Sequence, residues 1–229
     1  LAELRKGIDL AFREFSRAYG NGIEAFFDPL LYFLVWLEKL LINSPWMIII
    51  GIICGLTWLA SKNWRLVLGT AIAFFLIGYF GMWKDTMATV AIITVCVMIC
   101  MLVGIPVGVL MARSNRTEKT ILPVLDMMQT IPSFVYLIPI LMLLGIGKVP
   151  GLIAICIYAV PPIIRLTNLG IREVDKETIE ASEAFGATKF QKLRTVQKPL
   201  ALPTVFAGVN QTIMMALAMV VIASMIGVK

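Results

Sequence analysis

The sequence predicts an all-α integral membrane protein, and three observations carry that prediction. Apolar residues fill 59% of the 229 positions and charged residues only 15%, against roughly 45–50% and about 25% in soluble domains. A soluble chain of this size has too little interior to hide so much apolar surface, so lipid must cover the rest. The apolar residues gather in runs long enough to cross a hydrocarbon core ~30 Å thick as helices. Short polar blocks between the runs hold most of the Lys and Arg. The first 20 residues mix Arg5, Lys6, Asp9, Arg13, Glu14 and Arg17 with apolar positions, which is not the pattern of a secretory signal. The runs therefore read as permanent spans.

Residues 1–44 form an N-terminal helical segment. Asp28-Pro29 reads as an N-cap followed by Pro at the first helical position. The helix that follows, to about Asn43, carries Leu30, Leu31, Leu34, Leu37, Leu40 and Leu41 on one broad face. It is roughly 20 Å long at ~1.5 Å per residue, short for a span, and Glu38 and Lys39 stand near its end. It is expected to lie along the outer membrane surface, with a short true span as the alternative. Ser44-Pro45 repeats the cap-plus-Pro pattern and opens two peripheral spans within 45–83, at about 45–61 and 65–83. Trp46, Trp58 and Trp64 sit near their ends, where indole rings favour the interface.

Residues 84–229 form the core domain. Its first span, about 86–112, is expected to bend near Gly104-Ile105-Pro106. The next runs about 120–145 through Pro123, Pro132 and Pro139, and another about 150–170 through Pro161-Pro162. The last begins near Leu200 and is still apolar at Val228, so the C-terminal end is expected to be truncated. Pro132, Pro139, Pro161 and Pro162 each remove a backbone donor and are expected to bend their helices.

Orientation follows from the loops. With the N-terminus outside, the inner loops hold Lys62 and Arg65; Arg113, Arg116 and Lys119; and Arg165, Arg172, Lys176, Lys189, Lys192, Arg194 and Lys198. The outer loops hold only Lys84 and Lys148, as the positive-inside rule requires. The net charge of +6 is therefore that of cytoplasmic loops, and no nucleic-acid partner is expected. Cys54, Cys96, Cys100 and Cys156 all lie inside apolar runs, and the chain has no His. They read as packing residues and no metal site is expected.

One polar segment between spans is long. Residues 172–198 contain a helix-compatible stretch with Val174, Ile179, Ala181, Ala184 and Phe185 as apolar contacts, ended by Gly186 as a left-handed C-cap. Thr188 is placed to cap a second short helix presenting Phe190 and Leu193. Glu180-Ala181-Ser182, then Gly186 after three residues, then Val196 and Pro199 after nine resembles the EAA loop of ABC-importer permeases, E-A-A-x3-G-x9-I-x-L-P. Ser182 stands for the second Ala, Val196 for the Ile and Lys198 for the Leu. The segments 125–137, 145–151, 161–165, 207–212 and 220–226 look like the glycine betaine/proline betaine permease subfamily.

That resemblance implies a type I ABC importer (MetI-like) transmembrane domain in the inner membrane of a prokaryote. It implies a homodimer working with a cytoplasmic ABC ATPase dimer and an extracytoplasmic substrate-binding protein or fused binding domain. No cofactor is expected in this chain, ATP and Mg being bound by the partner ATPase. The chain is expected not to be an enzyme: it lacks Gly-x-Ser-x-Gly and a Walker-type Gly-x4-Gly-Lys. Glu180, Ala181, Ser182, Phe185, Gly186, Phe190, Leu193 and Pro199 would form the ATPase-coupling loop. Within the spans, Asp126, Gln129 and Thr130 lie within about one turn of each other, as do Asn210, Gln211 and Thr212. They would line a pathway for a zwitterion, with Phe134, Tyr136 and Tyr158 adding cation–π contact. Interhelical hydrogen bonding is the competing reading of the same residues. The rival functions are an ABC permease for choline, carnitine or trimethylamine N-oxide, and an ion-coupled secondary transporter, although no inverted repeat is apparent.

Overall fold

A computed structural model describes residues 29–226 and, among them, only helices, turns and bends. The Asp28 cap and residues 1–28, like the end of the last apolar run, lie outside the described residues. The chain divides into two compact units, Ala25–Val95 and, for its described part, residues 96–226.

In the first unit, α1 (Pro29–Asn43) and α2 (Trp46–Ser61) meet at 103°. Pro45 cannot donate to the preceding turn, so the ladder stops at Ser44, whose hydroxyl and N–H both bond the Leu40 carbonyl. Lys62 takes a left-handed conformation (φ 49°) and the Asn63 side chain accepts from the Arg65 N–H at 3.0 Å, starting α3 (Trp64–Tyr79). Helix α3 is 16 residues long, shorter than the expected span of 65–83. Gly81 (φ 72°) ends it, with Gly81 and Met82 N–H groups bonding the Gly78 and Ile77 carbonyls, the Schellman pattern. Of the leucine face of α1, only Leu34 is fully buried.

The second unit is built around α7 (Lys148–Arg172), which crosses the expected 150–170 segment and buries fourteen of its 25 residues. Pro161 and Pro162 are buried inside it and do not interrupt it. Helix α4 (Trp83–Arg113) likewise runs unbroken through Pro106. Small residues let the backbones approach. A Cβ on Gly104 would run into Ile163, and one on Gly108 would lie 2.6 Å from Thr167 Cβ. Against α10 (Lys198–Met225), a Cβ on Gly170 would lie 2.9 Å from Thr204 Cβ, and one on Gly208 3.1 Å from Leu166 Cβ. Close backbone approach is how helices gain packing energy where lipid removes the hydrophobic drive. Cys96, Cys100 and Cys156 gather with their sulfurs within 4.8 Å of one another, the Cys100 thiol lying 3.6 Å from the Cys156 carbonyl. The i,i+4 pairing of the first two is legible in the sequence; the third is brought in by the α4–α7 packing.

The expected span 120–145 is two helices. Helices α5 (Asn115–Thr130) and α6 (Ser133–Leu144) meet at 90°. Ile131 precedes a proline and is therefore pushed out of the helical region to ψ 130°, and Pro132 has no N–H to offer the preceding turn. Pro123 and Pro139 sit inside their helices without ending them.

Candidate functional site

The Arg172–Pro199 segment folds as an elbow whose every bend has a local cause. Asp175 accepts from the Glu177 N–H and starts α8 (Lys176–Ala184). At its end the Gly186 N–H bonds the Glu183 carbonyl and the Ala187 N–H bonds the Ser182 carbonyl. This Schellman closure needs a left-handed residue, and Gly186 supplies it at φ 77°. Thr188 then forms a full capping box with Gln191 and opens α9 (Lys189–Gln191). Lys192 pairs with Glu183 across the bend.

The helix opened at Thr188 does not stop. Through a π-helical stretch at Lys192–Gln197 it joins α10, so that Lys189–Met225 is one helix of 37 residues. The expected separate short helix and the expected start near Leu200 are both corrected by this continuity. The widened turn lies just before Pro199, whose ring would clash with the carbonyl four residues back in a regular α-helix.

The elbow leaves apolar rings uncovered. Phe185 is 92% exposed and Phe190 63%, while Leu193 is half-buried. Glu180 and Ala181 are exposed, and the Ser182 hydroxyl bonds back to the Ile179 carbonyl at 2.7 Å. Val174 is buried at the root of the elbow.

Sequence reasoning missed what holds that root. Arg172, the last residue of α7, donates to the Met111 carbonyl at the end of α4 (2.8 Å), to Asn115 (2.8 Å) and to Asn168 (3.0 Å), and pairs with Glu118 on α5 at 3.0 Å. Asn168, 5% exposed, donates in turn to Glu118. The signal available in the sequence was four polar residues flanking two helix ends, and nothing in it tells which would meet.

The predicted pathway residues separate into groups. Asp126 on α5 is ion-paired with Arg165 on α7. Gln129, Thr130 and Phe134 are exposed near the α5–α6 corner, and the Thr130 hydroxyl bonds the Met127 carbonyl. Tyr136 donates to the Met128 carbonyl at 2.7 Å, and its ring stands 6.4 Å from that of Tyr158, joining two predicted residues from different helices. Asn210 and Gln211 are exposed on α10, but Thr212 is 1% exposed. Thr212 falls on the buried row Ala201, Gly208, Thr212, Ala216, Met219 and Ala223. Its hydroxyl is buried and has no hydrogen-bond partner among the described residues.

Comparison with known proteins places this architecture. Residues 104–229 match the model of the binding-protein-dependent transport system inner membrane component. The chain is 45% identical over 223 residues to the glycine betaine/proline betaine transport system permease protein ProW of Escherichia coli K12, covering 97% of this chain and 62% of that protein. It is 47% identical to the glycine betaine/carnitine transport permease protein GbuB of Listeria monocytogenes, covering 80% of this chain and 66% of the relative. The chain thus spans a little under two thirds of the length of these relatives. Permeases named for trimethylamine N-oxide and choline are more distant, at 36% identity. Among solved structures, the inward-facing MetNI methionine ABC transporter matches with a TM-score of 0.55 and 25% identity, over 61% of this chain and 71% of that one. With the helical elbow, the glycine-packed bundle and this extent of identity together, the chain belongs to the family of binding-protein-dependent transport system inner membrane components.

Proposed function

We propose that this chain forms the membrane pathway of an ATP-driven importer for quaternary-amine osmoprotectants such as glycine betaine or proline betaine. It works as a pair of copies with two cytoplasmic ATPase subunits, which bind the ATP and Mg, and with an extracytoplasmic binding protein or domain. The elbow faces the cytoplasm and the N-terminal segment lies outside, in keeping with the Lys and Arg bias of the loops. Helix α1, at 103° to α2, lies along the membrane surface while α2 crosses.

The single observation that carries the reading is the stiffness of the elbow together with its exposed rings. ATP-driven closure reaches a permease as rigid-body movement, which a flexible loop would absorb. Here a capped helix, a Schellman turn and a capping box hand directly into a membrane helix. Phe185 and Phe190 stand ready to fill a groove on a partner. The names of the similar permeases support the substrate class.

The test is co-purification of the chain with its partners, followed by ATP hydrolysis with a panel of solutes. Glycine betaine and proline betaine are expected to stimulate hydrolysis. Stimulation by an amino acid or a sugar and by no methylated amine would overturn the substrate class. Uptake by the chain alone, without ATP, would favour an ion-coupled carrier.

A further inference from the structure

An ionised side chain inside a membrane bundle is costly and needs a reason. Asp126 stands eleven residues into α5, and Arg165, assigned to an inner loop from the sequence, instead stands seven residues before the end of α7; each is among apolar neighbours, and the two are paired. A pair kept for packing should be enclosed and fully hydrogen-bonded, because a half-satisfied buried pair is worse than an apolar contact. This pair is neither. The Asp126 side chain is 62% exposed and that of Arg165 32%, so the charges open onto an uncovered face of the chain. The Arg165 Nε–H is nevertheless buried and has no partner, leaving the guanidinium with unused donor capacity beside its single bond to Asp126.

We propose that Asp126 and Arg165 form a binding site for a zwitterion that carries a carboxylate and a quaternary ammonium, an assignment resting on the importer reading above. The ligand carboxylate takes the planar guanidinium of Arg165, for which that group is shaped. The ligand cation faces the Asp126 carboxylate. One ion pair becomes two and net charge stays zero, so no uncompensated charge enters the low-dielectric bundle as the ligand binds or leaves. The empty site closes on itself by re-forming the protein pair. Tyr158 lies seven residues before Arg165 on α7, two helical turns away on nearly the same face. Its ring pairs with that of Tyr136, whose hydroxyl is bonded to the α5 backbone at Met128, two residues beyond Asp126. A pair of aromatic rings thus stands about two helical turns along α7 from the charged pair, a kind of group that a quaternary ammonium favours.

The experiment uses the complete transporter in proteoliposomes, with labelled glycine betaine inside the saturating range of its binding component. Asp126→Asn and Arg165→Gln are each expected to cut maximal uptake about tenfold or more, the scale of one lost charge-assisted bond. The exchanged pair, Asp126→Arg with Arg165→Asp, restores the contact between helices but reverses the order of charges against the tyrosines. It is expected to recover the wild-type melting temperature and not the uptake. Recovery of both would show a structural clamp and overturn the proposal, as would normal uptake by the single variants. If the wild-type transporter takes up no methylated amine, the importer reading fails first and this site with it.

Discussion

Gly186 shows how a single residue position can be tested for two different demands. Its φ of 77° is strained for any residue with a side chain, yet a Cβ there meets nothing within 4 Å. Within this chain the only cost of substitution is therefore backbone strain, about 1–2 kcal/mol for Ala and less for Asn, which tolerates the left-handed region. Gly186→Asn is expected to leave thermal stability within about 1 kcal/mol of wild type while uncoupling ATP hydrolysis from uptake. The ATPase would then need the empty space beside the glycine. Normal uptake by Gly186→Asn, with loss only in Gly186→Ala, would confine the requirement to φ. Arg172 carries a second residue-scale prediction. Its guanidinium reaches four partners from three helices, a fork that an ammonium cannot reproduce. Arg172→Lys is expected to destabilise the assembled protein by about 1–3 kcal/mol and to lower the ratio of uptake to ATP hydrolysed. An unchanged ratio would mean that the elbow's root does not need fixing. The turn glycine was legible because its chemistry is local, whereas the Arg172 contacts join residues up to 61 positions apart that no local pattern relates.

At the scale of elements, the sequence showed the elbow's caps well and continuity poorly, and the expected Ser44 cap is corrected, its hydroxyl turning back to the Leu40 carbonyl and leaving α2 without a side-chain cap. The Thr188 cap follows from side chains within three residues of the backbone groups they satisfy, and the Gly186 stop from its own left-handed backbone; the Asp175 cap was equally local and was not read. Prolines were the harder case. Pro106, Pro161 and Pro162 sit in unbroken helices, whereas Pro132 coincides with a 90° corner and Pro45 with the 103° one. The same missing N–H is present at all five, so the outcome is decided by packing around each, which composition does not encode. The exposed rings of α8 and α9 give the element-scale prediction. Phe185→Ala and Phe190→Ala remove groups that are 92% and 63% exposed, so stability should change by less than about 0.5 kcal/mol. Retention of the ATPase on the immobilised permease is nevertheless expected to fall for each, and further for the double variant. Undiminished retention in the double variant would count against a docking role for these rings.

Across the whole molecule, the membrane class was legible from composition alone, because covering so much apolar surface is a global requirement and needs no knowledge of contacts. What composition could not show is where helices touch. Gly104, Gly108, Gly170 and Gly208 stand at close approaches opposite Ile163, Thr167, Thr204 and Leu166, and the folded packing, not the sequence pattern, selects them. Gly108→Leu would force a side chain into the Thr167 and Ile164 backbone region, 2.6–2.8 Å from its first carbon. Overpacking of that kind costs typically about 1–3 kcal/mol, and a lower melting temperature in detergent is expected. Gly69→Leu, where nothing lies within 4 Å, is the control and should melt as the wild type does.

The widened turn at Lys192–Gln197 also fixes an angular phase. Successive residues of an α-helix step about 100° around its axis, and a π turn takes up one residue more than an α turn. Unless the extra residue were deleted as well, winding the same residues there as regular α-helix would swing Phe190 about a quarter-turn relative to the face that α10 presents to α7. Amino-acid composition, membrane insertion and helix content would barely change. The ring would simply point the wrong way, so the two ends of one continuous rod are mutually aimed by a single locally unwound turn.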